Sequence, residues 1–155
     1  PQIDIEDQAS VSYAYENGVR VNYSLLAYAA YEGISLVLEG TEGRLEYRSV
    51  VNTGWAVGNR MVPGMDEMAG ESLKYFHPRK GEEVLQVPRL EGSHGGSDPA
   101  LRADFFARPW DADDQGRMAT LHEAVQAVLV GAAANASIAE GGQPVRVQEL
   151  LVGDI

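Results

Sequence analysis

The sequence predicts an α+β protein, an open and mainly antiparallel sheet with helices packed on one face. Three observations carry this. Several segments between Gln8 and Val87 repeat apolar residues with the period of two that marks a half-buried strand. A later segment, Gly116 to Glu140, repeats them at three and four, the spacing of an amphipathic helix. Between the two lies Gly92-Ser93-His94-Gly95-Gly96-Ser97-Asp98-Pro99, a glycine-rich stretch that holds the densest polar chemistry in the chain. Strands first and helices afterwards favour an α+β arrangement over alternating β-α-β units.

Gln8 to Tyr15 alternates, with Ala9, Val11, Tyr13 and Tyr15 on one face. Val19 to Tyr28 reads as the return strand after Glu16-Asn17-Gly18. A two-residue Asn-Gly loop would pair Tyr15 with Arg20 and mix the faces. A three-residue loop, with Gly18 in the left-handed region, pairs Tyr15 with Val19, Tyr13 with Val21 and Val11 with Tyr23. That register makes one face uniformly apolar, so it is the one expected. Ile34, Leu36 and Leu38 make a third strand, Gly40-Thr41-Glu42-Gly43 a turn, and Leu45 and Tyr47 a fourth strand. The other face of that strand carries Arg44, Glu46 and Arg48. The meander is thus expected to bury one face and to leave the polar one for solvent or association.

From Ser49 to Glu71 the periodicity fails. Trp55, Pro63, four glycines and three of the four methionines fall there. A loop of this length in a compact domain is usually functional, mobile or an insertion. Strand signals resume at Ser72–Phe76 and Val84–Val87, separated by the turn Pro78-Arg79-Lys80-Gly81. Asp98 followed by Pro99 reads as a helix start, the carboxylate capping free N–H groups and proline filling the first helical position. Leu101, Phe105 and Phe106 form the stripe expected to be buried, and Arg108-Pro109 stops the helix. After an acidic connector (Asp111, Asp113 and Asp114) comes the long helix, with Met118, Leu121, Val125, Val128, Ala132 and Ala136 as its expected apolar face. Gly141-Gly142 ends it, and Val145, Val147 and Leu150 suggest a last extended segment. No internal repeat or low-complexity tract occurs.

Composition narrows the function classes. The 155 residues suit a single domain with a core of useful size, and the whole span 1–155 is read as one. Lys and Arg number 12 against 23 Asp and Glu, a formal charge of −11. A chain this acidic repels phosphate backbones, which argues against nucleic-acid binding. Mean hydropathy is −0.22 and no apolar run is long enough to span a bilayer, so no membrane partner is expected. With no cysteine, disulfides, thiol catalysis and thiolate metal sites are excluded, and the composition suits a reducing cytoplasm. The chain begins with Pro1 and enters a β-like pattern within a few residues, so it is read as a piece of a longer protein.

Of the three histidines, His77 precedes a proline at a strand end and reads as a turn residue. His122 lies on the flank of the long helix, facing solvent or packed. His94 is held beside a helix start and a carboxylate, where an imidazole suits a substrate-facing role. The plain alternative is a helix-capping loop with an exposed histidine. His94 and Asp98 have the i, i+4 spacing of helical metal ligands, but Gly95, Gly96 and Pro99 interrupt any helix there, so no metal is expected. Ser93 beside His94 leaves a hydrolase reading open, though no Gly-x-Ser-x-Gly elbow is present. No phosphate loop and no Gly-x-Gly-x-x-Gly dinucleotide fingerprint occurs, so no cofactor is expected on this chain itself. The tyrosines 13, 15, 23, 28 and 31 read as core or interface residues rather than a sugar platform.

Four stretches, in this order, resemble one known family. They are Tyr13-Ala-Tyr-Glu-Asn-Gly-Val-Arg-Val-Asn-Tyr; Leu38-Glu-Gly-Thr-Glu-Gly-Arg-Leu-Glu; Ser93-His94-Gly95-Gly96-Ser97-Asp98-Pro99; and Ala132-Ala-Ala-Asn-Ala-Ser-Ile with Gly142-Gln-Pro-Val after it. Together they cover nearly the whole chain and resemble the C-terminal domain of the glucose–fructose oxidoreductase / inositol dehydrogenase (Gfo/Idh/MocA) family. The resemblance implies a two-domain enzyme acting on a sugar, cyclitol or related polyol. NAD or NADP would be bound by an N-terminal Rossmann domain that this chain does not contain. Glu-Lys-Pro and the Asp-x-x-x-His helix of the family are also missing here, so the catalytic residues would lie upstream of Pro1. It further implies that His94 binds a substrate hydroxyl, that Asp98 caps the helix and orients the loop, and that the open sheet face joins a second copy. Alone, this chain would transfer no hydride. The competing reading is a non-catalytic ligand-binding or dimerising α+β module.

Overall fold

The computed structural model describes residues 6–52, 70–88, 91, 96–106, 116 and 118–150. The protein is α+β. It divides into two compact units, 1–89 and 90–155, and the boundary falls beside the glycine-rich stretch that separates strand from helix signals.

Among the described residues the first unit holds six strands. β1 (Gln8–Ala14) and β2 (Arg20–Leu26) form a two-stranded antiparallel sheet. Its register pairs Tyr13 with Val21 and Val11 with Tyr23, as the alternation requires. Gly18 takes φ of +88°, and the Asn17 side chain accepts from the Val19 N–H at 3.1 Å, closing the three-residue loop. Ala9, Val11, Tyr13 and Val21 are half-buried on the apolar face.

A second sheet runs β3 (Glu32–Gly40), β4 (Gly43–Asn52), β5 (Gly70–His77) and β6 (Gly81–Leu85), all antiparallel and in chain order. β4 and β5 extend further than the apolar alternation marks, so the irregular segment narrows from both sides. Trp55, Pro63 and its three methionines lie outside the described residues. Cross-strand partners share a face. The pairs Leu36–Tyr47, Leu38–Leu45, Leu45–Tyr75, Tyr47–Leu73 and Leu73–Leu85 therefore make one face apolar. Val37–Glu46, Glu39–Arg44, Glu46–Lys74 and Phe76–Glu82 make the other largely charged.

The expectation that the apolar face is buried is corrected. Only Ser49 and Val50 are buried in this unit among the described residues, while Ile34 is 63% exposed and Leu38 54%. Alternation states which face is apolar. It does not state what layer covers it.

The second unit holds α1 (Ser97–Phe106), α2 (Leu121–Ala139) and a 3-10 helix, Val147–Leu150, which packs on α2. The expected stripe of α1 is also corrected: Leu101, Phe105 and Phe106 are all exposed, Phe106 most of all at 83%. A ten-residue helix cannot shield its own apolar side; a partner must do that.

α2 begins five residues later than the period suggests, because a capping box fixes its start. Thr120 Oγ1 accepts from the Glu123 N–H at 3.2 Å, and Glu123 Oε2 accepts from the Thr120 N–H at 2.7 Å. The helix ends as expected: the Gly142 N–H donates to the Ser137 carbonyl at 2.7 Å, with Gly141 and Gly142 at positive φ. Its shielded face matches the expected one only in part. Val125 and Ala136 of that face are half-buried, as are Leu129 and Val130, and Ala133 is buried, whereas Leu121 and Val128 are 78% and 73% exposed. The run from Ala124 to Ala136 is apolar nearly all round, so several stripes fit the period equally well. The final segment winds into a 3-10 turn beside α2 where an extended one was expected.

The cap gives a first prediction. Thr120→Ala should weaken the start of α2 by about 1 kcal/mol. The Thr120 backbone N–H, and then its hydroxyl, hold the Glu123 carboxyl below its ordinary 4.5. A lowered carboxyl contributes stability that is present above 4.5 and lost as pH falls through the lowered value. Helical circular dichroism should therefore drop in that acid range, and less so in Thr120→Ala. Equal acid titrations in the two proteins would refute the cap's role.

Candidate functional site

The two residues singled out for substrate contact have different fates. His94 lies outside the described residues, as do Ser93 and Gly95. Asp98 is described and half-buried, in the first turn of α1.

The helix starts at Ser97, two residues before the Pro99 expected at its first position, so Asp98 and Pro99 both lie within its first turn. This corrects the capping role given to Asp98. The position still suits it, since a carboxylate in the first turn meets the positive end of the helix dipole. Proline is tolerated there because first-turn N–H groups have no helical partner. Gly96 precedes the helix with φ of +85°, a conformation a side chain would strain, and it is buried.

His122 is exposed on α2, one of the two surroundings foreseen. His77 is the last residue of β5 rather than a turn residue. Its ring meets that of Tyr75 edge-on at 4.4 Å between centroids. The Tyr75 hydroxyl donates to the Glu42 carbonyl at 2.8 Å, so this pair ties the β3–β4 turn to β5.

Of the tyrosines expected in a core or interface, Tyr13 and Tyr31 are half-buried, whereas Tyr15, Tyr23 and Tyr28 are exposed, Tyr28 at 80%. Tyr13 and Tyr15 meet edge-on at 5.6 Å, and burial, then the hydrogen bond to Tyr15, pushes the Tyr13 phenol up. The Tyr47 hydroxyl donates to Glu71 Oε1 at 2.8 Å across β4 and β5.

The charged face is arranged as ion pairs. Arg44 donates to Glu46 at 2.6 Å and also to Glu39, and Lys74 donates to Glu82 at 3.0 Å. The bonds to Glu46 and then Glu39 raise the Arg44 pKa. Arg48 lies over the Tyr31 ring, 5.8 Å from its centroid. These pairs match charge within one sheet, and exposed pairs of this kind contribute little to stability.

One feature escaped the sequence reading. At the end of the sheet where the β3–β4 and β5–β6 turns meet, a cavity of about 290 Å³ is lined by Thr41, His77, Pro78, Arg79 and Lys80. The signal was present as the basic pair Arg79-Lys80 in an acidic chain. Its neighbour Thr41, 36 or more positions away, was not. Among the described residues, no three His, Cys, Asp or Glu side chains cluster as a metal site. No helix there is long and apolar enough to cross a membrane.

No family model and no solved structure matches the chain. A curated protein of Bacillus subtilis (strain 168), named "Putative oxidoreductase YteT", is 29% identical over 149 residues. The match takes in 96% of this chain and 33% of that protein, so the chain spans about a third of the length of the relative it matches. This likeness is consistent with an oxidoreductase domain.

Proposed function

We propose that this chain is the substrate-binding and oligomerisation domain of an NAD(P)-dependent oxidoreductase acting on a sugar, cyclitol or related polyol. The observation that carries the reading is similarity over 96% of this chain to one third of a protein named as an oxidoreductase. An α+β domain matched to a third of such a protein fits a division of labour in which another domain holds the cofactor. The four ordered stretches that resemble the Gfo/Idh/MocA family point to the same division and to the substrate class.

In this reading the cofactor, NAD or NADP, belongs to a Rossmann domain outside the chain and accepts or supplies the hydride. The chain's own share is recognition. His94, three residues ahead of α1 in the chain, donates to or accepts from a substrate hydroxyl. Asp98, in the first turn of that helix, helps hold the loop that presents His94. The open sheet associates with a second copy in a cytoplasmic enzyme.

The test uses the protein that carries this chain. Cofactor reduction is followed at 340 nm with NAD+ and NADP+ over a panel of sugars, cyclitols and open-chain polyols. We expect turnover that depends on both cofactor and polyol. His94→Ala should raise KM roughly tenfold or more, the scale of one lost hydrogen bond to a polar substrate. No cofactor-dependent turnover across the panel would sink the enzyme reading. Turnover with an unchanged KM in His94→Ala would sink only the role of His94.

A further inference from the structure

We propose that the cavity between the β3–β4 and β5–β6 turns binds a small, soluble phosphate-bearing ligand. Thr41, His77, Arg79 and Lys80 would be its contacts. The inference stands apart from the proposed redox chemistry.

The topology makes the juxtaposition. In an antiparallel meander alternate turns fall at the same end of the sheet. The register pairing Arg44 with Phe76 places Thr41 of one turn beside His77 of the other. The partnership of His77 with Gly81, the latter at φ of +87°, closes Pro78, Arg79 and Lys80 into a turn at that same end. The cavity so formed, about 290 Å³, is at the lower limit for small-ligand sites.

The chemistry of the lining is cationic in a chain of formal charge −11. Arg79 and Lys80 are exposed and make no ion pair among the described residues. Three carboxylates of the same sheet are engaged elsewhere: Arg44 holds Glu39 and Glu46, and Lys74 holds Glu82. Glu42 and Glu83 remain to oppose an anion. The guanidinium fork suits two oxygens of one phosphate, the ammonium adds a point charge, and the Thr41 hydroxyl adds a neutral donor. The His77 ring is steadied by its edge contact with Tyr75, so it meets a ligand at little entropic cost. A carboxylate offers fewer oxygens and a single charge to the same four groups, which favours phosphate.

The test is isothermal titration of inorganic phosphate into the protein that carries this chain, at low ionic strength, with chloride as the control anion. We expect saturable binding that weakens as salt rises. It should weaken at least tenfold in the double variant Arg79→Gln/Lys80→Gln, whose melting temperature should match the parent because both side chains are exposed. Binding that does not saturate, or that survives undiminished in the double variant, overturns the proposal. Co-sedimentation with phosphatidylglycerol vesicles is the second arm. The protein should stay in the supernatant, and pelleting that the double variant abolishes would overturn the assignment to a soluble ligand.

Discussion

Gly43→Ala should open the β3–β4 turn and cost about 1–3 kcal/mol, the range for forcing an atom into filled space. A Cβ at Gly43 would stand 2.6 Å from the Tyr75 hydroxyl oxygen and 2.7 Å from the Phe76 carbonyl oxygen. The phenol can swing away, but the carbonyl belongs to the β5 backbone, so relief requires the strand itself to move. Swinging Tyr75 would break its hydrogen bond to the Glu42 carbonyl and disturb the His77 ring that meets it edge-on. Hydrogen exchange read by mass spectrometry in the protein that carries this chain checks this locally. Peptides covering 38–47 and 72–77 should exchange roughly 5- to 150-fold faster, the rate equivalent of that cost. Tyr75→Phe is the control, since it removes the hydrogen bond alone and should cost about 1 kcal/mol. Unchanged exchange in Gly43→Ala would show that the turn is looser than its geometry states.

Gly33→Ala should be the other severe substitution. A Cβ there would fall against the Ser49 carbonyl oxygen, inside van der Waals range, with the Val50 Cα at 3.3 Å behind it. Both neighbours are backbone, so no side-chain rotation relieves the clash. The register shifts between Glu32 and Gly33, so Gly33 stands at an irregularity of the β3–β4 ladder, where a strand glycine often marks close backbone approach. Ser49 and Val50, the partners facing it, are also the most deeply buried residues of the first unit among those described. The expected cost is again about 1–3 kcal/mol, with faster exchange in peptides covering 32–38 and 46–52. Gly18→Ala distinguishes crowding from loss of freedom: a Cβ there meets nothing within 4 Å, and only the φ of +88° opposes it. Its effect should stay within β1 and β2. If Gly33→Ala proved as mild as a surface substitution, the close approach of the two backbones would be refuted.

The hairpin shows how much could be read from residues alone. Tyr13, Val21, Val11 and Tyr23 are near neighbours in the chain, and only one loop length puts them all on one face, so their pairing followed from pattern. The same held for Gly141-Gly142 at the end of α2, where a local hydrogen-bond need selects glycine. The start of α2 was legible in principle, as threonine and glutamate three apart at 120 and 123. Apolar periodicity outvoted it, because apolar residues precede the cap. The shielded face of α2 was legible only in part, since a helix rich in alanine and valine on every side leaves its facing to whatever packs against it. For the candidate site, the glycine-rich loop and Asp98 drew notice by composition, whereas the cavity of Thr41, His77, Arg79 and Lys80 did not.

By itself the sequence determined the fold class, the order of strands and helices, the hairpin register and the acidic balance that argues against nucleic-acid binding. Each of these depends on residues close in the chain or on a sum over it. The tertiary structure alone decided which apolar side chains are shielded and that two turns meet to gather cations around a cavity. Those outcomes depend on strands 30 or more residues apart and on what covers a surface. Alternation and periodicity state how a segment is divided between polar and apolar, and they carry no information about its neighbour.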